Sequence, residues 1–108
     1  MVFSCLPDES FYNPIGMIHG GLLCTLLDSV AGCAAHSLLP ARAGYSSIEI
    51  KVNFLRAVHA DSGELTATGR VVKPGRRVMF AEAQAVDAAG KLVGSATSTL
   101  LITAPPEA

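Results

Sequence analysis

Hydrophobic and polar positions follow two regimes along this chain. Between Leu22 and Ala35, apolar residues (Leu22, Leu23, Leu26, Leu27, Val30, Ala31, Ala34, Ala35) recur at three- and four-residue steps until they cover nearly the whole circumference of a helix. The helix is predicted from about Gly20 to His36, and Pro40 with Ala41-Arg42-Ala43-Gly44 ends it. A helix so apolar needs protein on most of its sides. Beyond it the period changes to two: Ile48, Ile50, Val52 and Phe54 fall on one face of a strand, and Ser47, Glu49, Lys51 and Asn53 on the other. Further strands are expected from about Gly63 to Lys73, Arg76 to Val86 and Leu92 to Thr103. The turn signals Pro74-Gly75 and Ala88-Ala89-Gly90-Lys91 separate them. A short extended start and a loop through Asn13 precede the helix. The prolines of the tail 104–108 cannot donate to a ladder, so the tail is expected to fray. With no repeat and no linker, the order predicts a single α+β domain over residues 1–108, an antiparallel sheet wrapped around one long central helix.

Composition adds a partner to this picture. Of 108 residues half are hydrophobic and only 16% charged, and the mean hydropathy is +0.42. A monomer's surface normally needs more charge, so another copy of the chain is expected to cover part of this one, as a homo-oligomer. The low charge favours a tetramer, a dimer of two-subunit units. Net charge is −1, and no cluster of Lys and Arg provides a footprint for nucleic acid or an anionic membrane. The segment Leu22 to Leu39 approaches the minimum of about 18 residues for a membrane span, but Thr25, Asp28, Ser29, Gly32 and His36 interrupt it and the rest reads as strands. No membrane span is expected. Met1-Val2-Phe3-Ser4-Cys5 lacks the basic and apolar regions of a signal peptide. Cys24 and Cys33 lie too far apart along one helix to bridge, so the three cysteines are read as reduced in a cytoplasmic protein. His19, His36 and His59 show no metal-ligand spacing, and no metal is expected.

Chemistry concentrates where the helix starts. His19-Gly20-Gly21 puts amides among the orphan donors of the first turn, at the positive end of the helix dipole, and a glycine there lets a substrate oxygen approach the backbone. Such an amide can polarise a carbonyl. The same glycines also suit a plain loop-to-helix turn, with His19 as a capping residue. Asp28 is the only ionisable side chain of the helix before its last turn, and a carboxylate there must be used, paired or hydrated. It lies roughly 12 to 13 Å along the axis from the first-turn amides. One chain cannot bring the two together. Two antiparallel helices related by a two-fold axis would place Asp28 of one beside Gly20 of the other, giving a site shared between subunits and present twice per dimer. A structural carboxylate, hydrogen-bonded or paired across the dimer, is the alternative for Asp28.

The run Asn13-Pro14-Ile15-Gly16-Met17-Ile18-His19-Gly20-Gly21, continued through Asp28 to Gly32, resembles the signature of hotdog-fold acyl-CoA thioesterases of the phenylacetic-acid-degradation type. Val52-Asn53-Phe54-Leu55-Arg56 and Lys73-Pro74-Gly75-Arg76-Arg77 also resemble that family, so the likeness extends from Asn13 to Ile102. It implies a hotdog fold and hydrolysis of an aryl- or acyl-CoA thioester to free acid and coenzyme A, with coenzyme A entering as substrate and no cofactor. It implies that Asp28 acts at the thioester carbon, as nucleophile or as general base through water. By the same likeness, Gly20 polarises the carbonyl, Asn13 holds the carbonyl or the water, His19 orients the loop and Ser47 positions water near the acid. Ser46 falls on the face opposite Ser47. Gly21 is assigned to substrate binding, and Arg56, Lys73, Arg76 and Arg77 to the phosphates of coenzyme A, though charged turn residues also serve simply as solvated surface. Phe11, Tyr12, Met17 and Leu23 are candidates to line the acyl pocket or to be ordinary core. Only a dozen residues precede Asn13, so a short first strand is expected. Ala57 stands where a proline is common in the family. A non-catalytic acyl-CoA binding module and a hotdog hydratase or dehydratase are the competing readings.

Overall fold

The computed structural model describes residues 1–103; the tail expected to fray lies outside the described residues. The elements are β1 (Val2–Cys5), a 3-10 turn (Glu9–Phe11), α1 (Gly20–His36), β2 (Gly44–Phe54), a second 3-10 turn (Ala60–Ser62), β3 (Leu65–Lys73), β4 (Val78–Val86) and β5 (Leu92–Thr103). The strands form one antiparallel sheet in the order β1-β3-β4-β5-β2. α1 lies in the concave face of this sheet, the hotdog arrangement that the resemblance implied.

Small side chains on the concave face allow helix and sheet to approach. Ala67, Ala81, Ala83, Ala85 and Ala96 are all buried there. At Gly69 the contact is backbone to backbone: a Cβ would stand 2.5 Å from the Val30 carbonyl oxygen. Leu27 and Val30 of the helix and Leu65, Val93 and Leu100 of the sheet are the large side chains sealed at this contact. Burial of each contributes roughly 1.5 to 3 kcal/mol, and together they hold the helix in register over the sheet.

Three expectations need correction. The first concerns the helix, which the chain covers on most sides but leaves open along one stripe. Gly21, Thr25 and His36 are exposed, while Cys24, Asp28, Ser29 and Cys33 are half-buried, and these residues recur at three- and four-residue steps along one stripe. The second is the Pro74-Gly75 turn, which extends through Arg76 and Arg77, so β4 begins only at Val78. Likewise β3 begins at Leu65, after Gly63 turns the chain with a φ of +78°.

The third correction is the alternation in β2. A bulge between Ser47 and Glu49 leaves Ile48 without a partner on β5. The extra residue reverses the parity of the strand. On the C-terminal side of the bulge Glu49, Lys51 and Asn53 pair with Thr99, Thr97 and Ser95 on the outer face, as the period of two predicts. On the N-terminal side Tyr45 and Ser47 face the helix, and Ile48 is 57% exposed.

Candidate active site

The loop before α1 is built around Asn13. Its Oδ1 accepts from the backbone N–H of Ile15 and of Met17, both at 3.1 Å, while its own N–H donates to the Met17 carbonyl at 2.7 Å. The loop is fastened to its surroundings by Ile18 N–H donating to Val58 O at 2.8 Å and His19 N–H to Phe11 O at 2.7 Å. Asn13 therefore shapes the approach to the helix with its oxygen, and only its Nδ2 has no protein acceptor among the described residues.

His19 is the N-cap of α1. It has extended backbone geometry, and its Nδ1 accepts from Gly21 N–H at 2.9 Å. This capping separates the two glycines. The Gly21 amide is taken, and Gly21 faces a shallow depression with Phe11, Tyr12 and Thr25. Its expected part in substrate binding through that amide has no free donor to act with. The Gly20 amide donates to no protein acceptor among the described residues and points out at the positive end of the helix. Phe54 packs its ring against Gly20, where a Cβ would stand 3.0 Å from the nearest ring carbon.

Beside this amide opens a cavity of about 450 Å³, lined among others by Asn13, His19, Gly20, Leu23, Phe54 and Arg56. Met17 and Leu23 line it, as the pocket expectation required. Phe11 and Tyr12 do not; they lie around the loop's other side, where Tyr12 Oη accepts from Ala60 N–H at 3.0 Å.

Asp28 stands two turns further along the helix and is absent from that cavity's lining. Its Oδ1 accepts from Ser47 Oγ at 2.8 Å. Ser46 pairs with Leu101 on the outer face and has no part in this contact. The arrangement thus offers a hydroxyl-bonded carboxylate at mid-helix and a free amide at the helix start, eight residues or about 12 Å apart along the axis. The uncovered stripe of α1 runs between them.

The basic side chains divide in the same way. Arg56 sits at the Gly20 end. Lys73, Arg76 and Arg77 are exposed at the opposite end of the sheet, where Arg76 borders a second cavity with Leu38, Leu39 and Pro40 beyond the helix C-terminus. None of the four forms a salt bridge among the described residues. Sequence reasoning missed Tyr45, whose phenol lies over Gly32. The signal for it was a glycine four residues after the acid, inside an otherwise regular helix.

A hotdog sheet with a carboxylate on its helix and an unpaired amide at the helix start defines a class of protein, and known proteins of that class match this chain. Residues 15–94 match the thioesterase superfamily, and the chain belongs to that family. Human acyl-coenzyme A thioesterase 13 is 31% identical over 94 residues, covering 85% of this chain and 65% of that protein. The chain spans just under two thirds of the length of that relative. A phenylacetic acid degradation-related protein from Ralstonia eutropha superposes with a TM-score of 0.85 at 30% identity, over 93% of this chain and 74% of the other. A hypothetical thioesterase protein from Streptococcus pneumoniae, solved with coenzyme A, superposes with a TM-score of 0.86 at 27% identity, over 98% of this chain and 82% of the other.

Proposed function

We propose that this chain hydrolyses acyl-CoA thioesters, in a site shared between two copies of the chain. The observation that carries the reading is the Ser47 to Asp28 hydrogen bond at 2.8 Å, at the one carboxylate on the helix and on the stripe left uncovered. A second helix packed antiparallel on that stripe brings its Gly20 amide beside Asp28, which no rearrangement within a straight helix can do. The outer edge of β2, which has no neighbouring strand among the described residues, supports the same partner.

The chemistry follows from the groups. Water held beside Asp28 gives a proton to the carboxylate as its oxygen bonds to the thioester carbon. The carbonyl electrons move onto oxygen, and the second copy's Gly20 N–H donates a hydrogen bond to that oxyanion. The intermediate collapses with breakage of the C–S bond, and the proton on Asp28 passes to the departing thiolate of coenzyme A. Ser47 occupies one oxygen of Asp28, which leaves the other for the water and weakens direct attack by the carboxylate. The general-base route is therefore the proposed one. Coenzyme A enters as substrate, and no cofactor is assigned. Arg56 at the Gly20 end, and Lys73, Arg76 and Arg77 at the opposite end, are proposed for its phosphates. We also propose that the chain acts as one domain, assembles as a tetramer of two such dimers, and works in the cytoplasm with its three unpaired thiols reduced. Among the described residues no helix is long and apolar enough to cross a membrane.

The test is thiol release from a panel of aryl- and alkyl-CoA thioesters by the protein and by Asp28→Asn at matched oligomeric state. Turnover that falls by about 10² to 10⁴ in the variant, with ester binding retained, supports the reading. Ester binding without turnover in both proteins would replace it with an acyl-CoA binding module.

A further inference from the structure

Two glycines on packed elements each receive a large side chain from across the contact. Gly20 of α1 takes the ring of Phe54 from β2, whose Cε1 and Cζ stand 3.0 and 3.1 Å from where a Cβ would be. Gly94 of β5 takes Leu23 from α1, whose Cδ2 stands 2.6 Å from the corresponding position. Phe54 and Gly94 are themselves cross-strand partners, and Leu23 lies one turn beyond Gly20, so the two contacts are neighbours. Both side chains line the cavity of about 450 Å³ beside the Gly20 amide. Phe54 is 59% exposed and stands at its mouth, while Leu23 and Leu65 are buried and form its floor.

We propose that this cavity takes the acyl group of the thioester, and that Leu23 and Phe54 determine the length of chain it accepts. The inference rests on the hydrolysis reading above. A carbonyl held at the Gly20 N–H carries two groups, the acyl chain and the sulfur that leads to coenzyme A. The coenzyme A arm bears amides and ends in phosphates, so burying it against Leu23, Phe54, Val58 and Leu65 would leave polar groups without partners. An apolar acyl chain is stabilised by the same walls, and more so with each methylene that enters. The acyl chain therefore runs inward past Phe54, and the coenzyme A arm runs out to solvent. A volume of about 450 Å³ lies towards the small end of the range of about 300 to 1,000 Å³ for small-molecule sites, so the floor limits the chain.

That floor depends on a side chain that is missing. With Gly94 bare, Leu23 rests on β5 and leaves the cavity open. A methyl group at position 94 would drive the end of Leu23 off the strand, and the free space beside it is the cavity.

The experiment measures kcat/KM for butyryl-, hexanoyl-, octanoyl-, decanoyl- and dodecanoyl-CoA in the wild-type protein, Phe54→Ala, Leu23→Ala and Gly94→Ala. Phe54→Ala and Leu23→Ala are expected to raise dodecanoyl relative to butyryl activity at least about tenfold, the scale on which an apolar pocket discriminates by size. Gly94→Ala is expected to lower that ratio by a similar factor. Phe54 is exposed, so its variant decides the matter even where Leu23→Ala or Gly94→Ala fails to fold. Shifts of the same sign in Leu23→Ala and Gly94→Ala overturn the inference, since a loosened fold moves both alike. A KM raised equally for every ester, with the order of chain lengths intact, also overturns it and gives the cavity to the coenzyme A arm. An unchanged profile in folded, active variants overturns this inference alone. A wild-type protein inert on every ester overturns the hydrolysis reading and this inference with it.

Discussion

Ser47 reaches Asp28 because β2 carries one residue too many at Ile48. The two side chains are 19 positions apart in sequence and 2.8 Å apart in space. Without the bulge the strand would hold a single alternation from Gly44 to Phe54, and Ser47 would share the outer face with Glu49, Lys51 and Asn53. The bulge lets one strand serve two purposes. Its first half presents hydroxyls to the helix, and its second half presents Ile50 and Val52 to the core.

This geometry predicts that removing the Ser47 hydroxyl costs more activity than deleting Ile48, the extra residue of the bulge. Ser47→Ala should lower kcat by about tenfold or more with little change in KM, since the hydroxyl orients the acid and does not hold the bulk of the substrate. Deletion of Ile48 makes Ser47 and Glu49 neighbours in unbroken alternation, still opposite Leu100 and Thr99, so Ser47 keeps facing the helix and kcat should stay well above the Ser47→Ala level. A folded deletion variant as impaired as Ser47→Ala would show that the site needs the bulged geometry itself and not only the face that Ser47 takes.

The route of attack is decided by where the new oxygen comes from. In single turnover in heavy-oxygen water, the general-base route places solvent oxygen in the acid released on the first cycle. A carboxylate nucleophile would instead form a mixed anhydride: water opening it at the Asp28 carbonyl gives unlabelled acid first and leaves the label in Asp28, and water opening it at the acyl carbon labels the acid but leaves an acyl-enzyme that hydroxylamine traps. Mass spectrometry of product and protein, with and without hydroxylamine, separates the two, and label in the product with no trapped acyl-enzyme is the expected result.

His19 has a measurable structural part apart from any role toward substrate. His19→Ala removes the acceptor of the Gly21 N–H and should lower stability by about 1 kcal/mol, the usual value of a helix N-cap, as read by denaturant unfolding. His19→Asn, which restores a capping oxygen, should recover most of that loss.

Gly69 is the position where the fold tolerates least. A Cβ there meets the Val30 carbonyl at 2.5 Å and Val30 C at 2.8 Å, both backbone atoms of the helix, which cannot swing aside. Gly69→Ala should cost about 1 to 3 kcal/mol, as over-packed cores do, by forcing helix and sheet apart. Gly90→Ala makes a useful contrast: a Cβ there meets nothing within 4 Å, so its cost comes only from the left-handed backbone at a φ of +80°.

Much of this protein is determined locally and was therefore legible in its residues. The extent of α1, the existence of three strands after β2 and the turns between them follow from period, Gly and Pro, because each depends on neighbours in the chain. The Asn13, His19-Gly20-Gly21 and Asp28 pattern identified the family for the same reason, since its parts lie on one loop and one helix. Only the tertiary structure decided which glycine amide stays free, because that turns on the rotamer of His19. It also decided which face Ser47 takes, because a bulge leaves no mark in the alternation of apolar and polar residues. The contact of Tyr45 with Gly32 was likewise beyond the sequence, since it joins a strand to a helix through a side chain that is missing.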